Sequence, residues 1–302
     1  MMNTELINYA THNGIFNFVN EPMSKHTTFR IGGRADMLIY PTKRKEITEL
    51  IEMCNAENIE YVILGNGSNV LVSDKGIRGL VIMTDRLNRI TFREDGTVEA
   101  WAGAPLARVA NLAKNYSLTG MEFAFGIPGS VGGAVYMNAG AYNRQMCNIV
   151  EETEYISPEG KIQTVYGENH KFGYRTSFFK ENGGAIIRTV MRLSEGNAEE
   201  INAKMQEYTS QRAAKQPLDK PSAGSVFKRP EGYFAGKLIE DAGLKGVSVG
   251  GAQVSPKHAG FIVNTGVATC KDVLTLIDKI KDEVYKKFGV ELQEEIQFIG
   301  EK

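Results

Sequence analysis

The chain has 302 residues, 42% of them hydrophobic and 24% charged, which is the balance of a soluble globular protein with room for about two domains. Its formal net charge at pH 7 is −1, so overall electrostatics do not favour a nucleic-acid or membrane-surface partner. Apolar runs are short and the three cysteines and four histidines are scattered, so we expect a cytoplasmic protein with reduced thiols, no membrane insertion and no metal site.

The first part of the chain predicts alternating strands and helices. A helix candidate opens the chain, a strand over 35–41 ends at Pro41, and Thr42 is predicted to cap the helix that follows. The next predicted elements are strands at 61–64 and 79–84, a hairpin at 89–104, a helix at 105–117, a hairpin at 151–167 and a strand at 185–193.

The character of the sequence changes near residue 195, where a polar helix is predicted over 194–217. A short helix closed by glycine and two short strands follow it. The clearest helix of the chain is capped by Thr269 and ended by Gly289, and a last strand reads IQFIG.

These elements predict three segments. We expect an N-terminal helical segment over 1–20, a domain over 21–195 with subdomains of about 21–84 and 85–195, and a C-terminal domain over 196–302. Both large segments mix strands and helices, so the predicted fold class is α+β.

A glycine loop, GNGSN, follows the strand at 61–64. It lacks the third glycine of a Rossmann fingerprint, it continues into a strand pattern instead of a helix, and no Walker A sequence is present. Successive main-chain N–H groups from Gly65 to Asn69 can still form an anion nest, which predicts a phosphate site. A tight turn that binds nothing is the alternative.

A second stretch, GIPGSVGGAVYMNAGAY, starts at residue 126 and has five glycines in 17 residues. Small residues at so many positions allow the main chain to lie against a planar or phosphorylated ligand. Two such loops about 60 residues apart suit a ligand with two ends, such as a dinucleotide.

Five motifs in order carry a resemblance to a known family. They are ILGNGSNVLVSDKG, GIPGSVGGAVYMNAGAY, GYRTSFFK, PSAGSVFKRP and GVELQEEIQFIG. From about Thr27 to Gly300 the chain resembles the UDP-N-acetylenolpyruvoylglucosamine reductases, in the short type that lacks a substrate-covering tyrosine loop. The resemblance implies an FAD-binding fold of the PCMH/vanillyl-alcohol-oxidase type, followed by a smaller α+β substrate-binding domain.

The resemblance also implies the reaction and its participants. The cofactor is non-covalent FAD, the hydride donor is NADPH, and the substrate is UDP-N-acetylglucosamine enolpyruvate. The reaction belongs to cytoplasmic peptidoglycan synthesis, on which cell wall biogenesis, cell shape, cell division and the cell cycle depend. The residues that the resemblance assigns to FAD are Gly65, Asn66, Gly67, Ser68, Asn69, Val70, Leu71, Ile127, Pro128, Gly129, Ser130, Gly132, Gly133, Ala134, Asn138, Ala139, Gly140 and Ala141.

Three residues are assigned to the chemistry by the same resemblance. Hydride arrival at an enolpyruvyl ether places negative charge on the neighbouring carbon and its carboxylate, and Arg175 is a cation that can pair with that carboxylate. Ser225 is expected to protonate the carbon. Glu295, the second acid of an adjacent pair, is expected to hydrogen-bond the developing enolate, while Glu294 points to the opposite face of a strand.

Contacts to the substrate are assigned with several departures from the family pattern. The resemblance implies roles for Tyr174, Lys215, Lys228, Arg229 and His258. Arg229 stands where relatives have asparagine, and His258 where some have glutamine. Gln297 replaces an arginine that touches flavin in some members.

Two other functions are compatible with these motifs. One is a flavin oxidase of the same fold, which would form peroxide with oxygen. Many such oxidases tether flavin to His or Cys, and neither residue lies within the two glycine stretches, so we expect non-covalent FAD. The other is a nucleotide-sugar binding protein without catalytic activity, against which the three intact catalytic positions argue. The sequence does not indicate an oligomeric state.

Overall fold

The computed structural model describes residues 4–301, and within them the chain forms eight α-helices and nineteen β-strands. The helices α1 to α8 are Thr4–His12, Arg44–Ala56, Leu106–Asn115, Val131–Tyr136, Phe178–Asn182, Ala198–Lys215, Ala235–Asp241 and Cys270–Phe288. The strands β1 to β19 are Phe16–Pro22, Arg34–Tyr40, Tyr61–Leu64, Val70–Val72, Ile77–Met83, Ile90–Phe92, Thr97–Trp101, Leu118–Thr119, Gly140–Ala141, Arg144–Gln145, Val150–Ile156, Ile162–Tyr166, Ala185–Arg192, Ser194–Glu195, Ser222–Ser225, Ser248–Val249, Ala252–Val254, Phe261–Asn264 and Gln297–Ile299. The α+β class is confirmed. None of the described helices combines the length and the apolar character needed to cross a bilayer.

The chain divides into two compact units that are both discontinuous in sequence. The first unit consists of Met1–Val19, Met37–Asn66 and Gly79–Gln211, and the second consists of Asn20–Asp36, Gly67–Arg78 and Arg212–Lys302. This grouping differs from a single division at residue 195, because most of α6 belongs to the first unit and two early segments belong to the second. The predicted domain limits therefore stay a prediction.

The first unit contains a five-stranded antiparallel sheet with the order β12-β11-β13-β7-β6. The hairpin of β6 and β7 turns at Asp95 as predicted, where the carboxylate accepts a hydrogen bond from the Thr97 N–H at 2.9 Å. Helices α3 and α4 cover this sheet with a core of fully buried small and aliphatic side chains, among them Ala102, Val109 and Val131. This core fixes the place of the second glycine stretch, because α4 lies within it.

Helix α2 packs through the predicted stripe of Ile47, Leu50, Ile51 and Cys54, all fully buried. The predicted cap at Thr42 is wrong, because the helix begins at Arg44 and its N-cap is Lys43. The Glu46 carboxylate instead accepts the main-chain N–H groups of residues 42 and 43, at 2.7 and 3.2 Å, and so satisfies the helix start from inside.

The second unit contains an antiparallel sheet with the order β15-β18-β17-β16 and the long helix α8. Thr269 caps α8 as predicted, accepting a hydrogen bond from Asp272 N–H at 3.1 Å, and Gly289 ends it with φ +67°. The apolar stripe of α8 is buried over Val273, Leu276 and Ile280. This unit also joins distant parts of the sequence, because β19 pairs in parallel with β4.

Candidate active site

The start of the first glycine stretch, Gly65 and Asn66, lies beside residues 128–130 of the second stretch within the first unit. A Cβ atom on Gly65 would clash with the Ser130 hydroxyl, and the Asn66 side-chain amide donates a hydrogen bond to the Pro128 carbonyl at 2.7 Å. The absence of a side chain at Gly65 leaves room for the Ser130 hydroxyl. The structure therefore brings together the two stretches that the sequence assigned to one ligand.

The first loop, residues 65–69, presents main-chain donors that the protein does not use. Among residues 4–301, no group accepts a hydrogen bond from the main-chain N–H of residues 66–69. The Gly67 carbonyl is engaged, since it accepts the Thr28 N–H at 3.1 Å. A run of successive N–H donors without protein acceptors fits an anionic group, so the loop fits the diphosphate of FAD.

The backbone conformation and the close surroundings of Gly67 both favour glycine at this position. Its φ is +59°, and a Cβ atom there would clash with the His26 carbonyl. We expect Gly67→Val to weaken FAD binding by roughly 10- to 100-fold, because about 1–3 kcal/mol of strain would distort the donor loop. Fluorescence titration of the apoprotein with FAD measures this effect.

Gly14→Val is the matched control, because Gly14 has φ +63° with open space around its Cβ position and lies outside the loop. We expect it to leave the FAD affinity unchanged. Equal weakening by both variants would attribute the effect to general destabilisation and contradict a role of the loop in binding.

The second stretch differs from the predicted loop, because its residues 131–136 form the short helix α4. Ser130 caps this helix, and the Gly132 N–H donates to the Ala102 carbonyl at 2.8 Å. A Cβ on Gly132 would approach the Ala102 side chain to 2.8 Å, so this glycine serves packing inside the unit. Gly133 is the exposed residue of the helix. The FAD contacts assigned to this stretch stay predictions, and the first loop has the stronger donor geometry.

Asn138 holds the GYRTSFFK segment in place. Its buried side-chain amide donates to the Gly173 carbonyl at 2.9 Å, and its carbonyl accepts the Cys147 N–H at 2.9 Å. The Ser177 hydroxyl adds a hydrogen bond to the Tyr136 carbonyl at 2.7 Å. The sequence assigned Asn138 to FAD, and the structure gives its side chain the task of anchoring the segment that carries Arg175.

Arg175 occupies a backbone conformation that is unusual for a side chain with a Cβ. Its φ is +57°, in a tight turn closed by the hydrogen bond from Gly173 N–H to the Thr176 carbonyl at 3.1 Å. Its guanidinium carbon lies 5.3 Å from the ring centre of Tyr174, which is 52% exposed. Strained backbone of this kind persists where the surrounding structure enforces it and is frequent at functional sites.

Ser225 and Glu295 lie on adjoining stretches of backbone in the second unit. Ser225 ends β15, and the Val226 carbonyl that follows accepts the Glu295 N–H at 2.7 Å. Glu294 is an exposed side chain whose carboxylate pairs with Lys281 at 2.9 Å. Burial acts to raise the pKa of Glu294, but the hydrogen bond and charge of Lys281 outweigh it and hold that pKa below its usual value. The assignment of the chemistry to Glu295 instead of Glu294 stays a prediction.

The residues assigned to the substrate's nucleotide part also lie in the second unit. Lys215 is exposed at the end of α6, and the Arg229 guanidinium carbon lies 3.9 Å from the ring centre of Phe234. Lys228 is half-buried, and its N–H donates to the Gln293 carbonyl at 2.8 Å. Lysine and arginine side chains suit a phosphate group, and the assignment of these three residues to the substrate stays a prediction.

His258 differs from these cations in its charge. Burial and the nearby charge of Lys245 lower the pKa of His258. Its Nδ1 accepts the Gly260 N–H at 3.1 Å, which leaves the other ring nitrogen as the donor. His258 would thus meet a ligand as a neutral hydrogen-bond donor at neutral pH.

The sequence did not reveal the groups that frame Glu295. These groups are the side chains of Asn69 and Gln297, which both donate to the Glu295 carbonyl. Asn69 had been assigned to FAD and Gln297 only noted as a departure. Because the pairing of β19 with β4 joins residues more than 220 positions apart, no local pattern could have indicated it.

Comparison with known proteins agrees with this organisation. Residues 35–166 match the family model of an FAD binding domain. Residues 216–299 match the model of the UDP-N-acetylenolpyruvoylglucosamine reductase C-terminal domain.

Full-length relatives carry the same description. The chain is 52% identical over 285 residues to a UDP-N-acetylenolpyruvoylglucosamine reductase of Caldanaerobacter subterraneus, covering 94% of each chain. It is 49% identical to the enzyme of that name from Clostridium botulinum, covering 93% of this chain and 92% of the relative. The crystal structure of the reductase from Thermus caldophilus superposes with a TM-score of 0.79 at 35% identity, covering 94% of this chain and 98% of that one. The chain therefore belongs to the UDP-N-acetylenolpyruvoylglucosamine reductase family.

Proposed function

We propose that the chain is an FAD-dependent oxidoreductase that uses NADPH to reduce the enolpyruvyl C=C bond of UDP-N-acetylglucosamine enolpyruvate. The product is UDP-N-acetylmuramate, a precursor of peptidoglycan and hence of cell wall, cell shape and division. The observation that carries the proposal is the 52% identity to a reductase over 94% of both chains. NADPH and nucleotide sugars are cytoplasmic metabolites, so we expect the reaction to take place there.

The main-chain donors of residues 66–69 are the groups that would hold the FAD diphosphate. When bound, FAD supplies hydride transfer, accepting a hydride from NADPH and delivering it to the terminal enolpyruvyl carbon. The protein's own task is then to bind the substrate, stabilise the negative charge that develops and provide a proton.

Arg175 is proposed to pair with the substrate carboxylate. A guanidinium remains charged and presents a fork of donors, so it stabilises charge that spreads from the carbon into the carboxylate. The turn at Gly173 and the hydrogen bond from Lys180 Nζ to the Arg175 carbonyl at 3.3 Å fix the backbone from which it extends. A pre-positioned cation does not have to reorganise when charge appears, which is the basis of electrostatic catalysis.

Ser225 is proposed to donate the proton and Glu295 to stabilise the enolate. An isolated serine is a weak acid, but the carbanion formed beside a carboxylate is a strong base and can take its proton. The hydrogen bond from the Glu295 N–H to the Val226 carbonyl keeps the two residues on adjoining backbone. The carboxyl group of Glu295 is proposed to form a hydrogen bond with the developing enolate oxygen.

The test is an absorbance spectrum of purified protein, followed by anaerobic addition of NADPH and then of the enolpyruvyl substrate. We expect a flavin spectrum, bleaching by NADPH, recovery of colour with the substrate and one equivalent of UDP-N-acetylmuramate. Acid or heat should release FAD without a covalent remnant. Colourless protein that takes up no added FAD, or peroxide formation in air without reduced product, would contradict the proposal.

A further inference from the structure

We infer that Gln297 is a positioning residue for Glu295, acting through its side-chain hydrogen bond to the Glu295 main-chain carbonyl. The inference rests on the role proposed for Glu295 above.

Two side-chain amides converge on one carbonyl oxygen. Gln297 Nε2 donates to the Glu295 carbonyl at 2.8 Å, and Asn69 Nδ2 donates to the same oxygen at 3.3 Å. The Gln297 N–H in turn donates to the Asn69 carbonyl at 2.9 Å. A carbonyl oxygen has two lone pairs, so these two donors use its full accepting capacity.

The other side of Glu295 is fixed as well. Its N–H donates to the Val226 carbonyl at 2.7 Å, one residue after Ser225. With both its N–H and its carbonyl hydrogen-bonded, the main chain of Glu295 is restrained on either side of the Cα atom that carries the carboxylate side chain. Within the described chain no main-chain group donates to the Glu294 carbonyl, and the Glu294 carboxylate pairs with Lys281.

The hydrogen bonds to the N–H and the carbonyl of Glu295 connect it to two other parts of the proposed site. Asn69 ends the donor loop assigned to FAD, Val226 follows the proposed proton donor, and Glu295 lies between their hydrogen bonds. Loss of the shorter amide bond would let the Glu295 carbonyl turn away. A misplacement of 1 Å in a catalytic group can cost about 100-fold in rate.

Gln297→Met tests the inference, because methionine has a similar length and shape without a donor. We expect flavin reoxidation by the enolpyruvyl substrate to slow about tenfold. The effect should be smaller than about 100-fold, because Asn69 still donates a hydrogen bond to the Glu295 carbonyl. Flavin reduction by NADPH should stay within twofold of wild type. The matched control is Gln293→Met, an exposed position on the same segment, which should leave both steps unchanged.

A double-mutant cycle separates positioning from general damage. In a Glu295→Ala background, Gln297→Met should cause no further slowing of reoxidation, because its effect passes through the missing carboxylate. Hydrogen–deuterium exchange of the holoenzyme should be faster in the peptide 293–299 of Gln297→Met and unchanged elsewhere. If Gln297→Met fails to retain FAD, Gln297→Thr replaces it, since threonine suits a strand and is too short to reach.

Three outcomes would overturn the inference. They are an unchanged reoxidation rate, equal slowing of both half-reactions, and full additivity with Glu295→Ala. Wild-type enzyme that forms product under any of these outcomes leaves the proposed function standing, so failure of the positioning role and failure of the function are distinguishable.

Discussion

Ser225→Ala is expected to slow flavin reoxidation by the enolpyruvyl substrate about 10²–10⁴-fold, while flavin reduction by NADPH stays within a few-fold of wild type. Protonation of the substrate carbon follows hydride arrival, so a residue that only supplies this proton has no part in the first half-reaction. Single-turnover stopped-flow traces of the two half-reactions, monitored by flavin absorbance, measure the two rates separately.

Ser222→Ala is the matched control, because Ser222 lies in the same strand and carries the same hydroxyl. Its main-chain carbonyl, which accepts the Thr28 hydroxyl at 2.7 Å, survives the substitution. This control should leave both half-reactions unchanged. Equal slowing of both halves by Ser225→Ala would indicate a misplaced flavin, and the assignment of the proton donor would then be wrong.

Elements that bury a regular apolar stripe could be predicted from the sequence. Helix α8 follows its capping residue, stripe and terminal glycine closely, because each signal is local and all agree. Strand β1 is not predicted, because its sequence FNFVNEP lacks a regular alternation of apolar and polar residues and it lies at the edge of its sheet. Pairing with β2 stabilises the extended conformation of β1, which its local sequence does not favour by itself.

The motifs of the candidate site could be found from the sequence, but not the tasks that individual side chains perform. The first glycine loop keeps its main-chain donors, as an anion nest requires. Gly132, in contrast, packs on Ala102, and Asn138 anchors the Gly173 turn. A small or polar residue in a motif can serve the ligand or the fold, and only the three-dimensional neighbours decide which.

The hydrogen bonds that hold the main chain of Glu295 could not be predicted either, and the reason is different. It depends on the parallel pairing of Gln297 with Val70, whose cause lies in packing and not in either segment alone. Of the two adjacent acids Glu294 and Glu295, the sequence indicated Glu295 as the catalytic candidate, and this choice rested on the family resemblance. The structure shows that the Glu294 carboxylate is paired with Lys281.

Arg175 is expected to show a trade-off between stability and activity. Its φ of +57° costs a residue with a Cβ about 1 kcal/mol or more relative to glycine. The free energy of unfolding of Arg175→Gly, measured by denaturant titration, should therefore be about 1 kcal/mol higher than that of Arg175→Ala. Both variants lose the same guanidinium contacts, so the difference reports the backbone strain. Both variants should slow flavin reoxidation by the substrate about 10²–10³-fold, the usual effect of removing one electrostatic contact to a developing anion.

Lys171 supplies the matched pair, because it lies four residues upstream on the exposed surface with φ +46°. The free energy of unfolding of Lys171→Gly should exceed that of Lys171→Ala by a similar amount. Neither Lys171 variant should change the rate of either half-reaction. Arg175→Lys should fall between wild type and Arg175→Ala in reoxidation rate, because it keeps a positive charge without the planar fork. If Arg175→Gly is more stable than Arg175→Ala and also reoxidises at the wild-type rate, the strained backbone serves no catalytic purpose and the assigned contact to the carboxylate is wrong. If the rate falls as expected, the left-handed turn is retained because it aims the guanidinium, at a cost in stability that glycine would avoid.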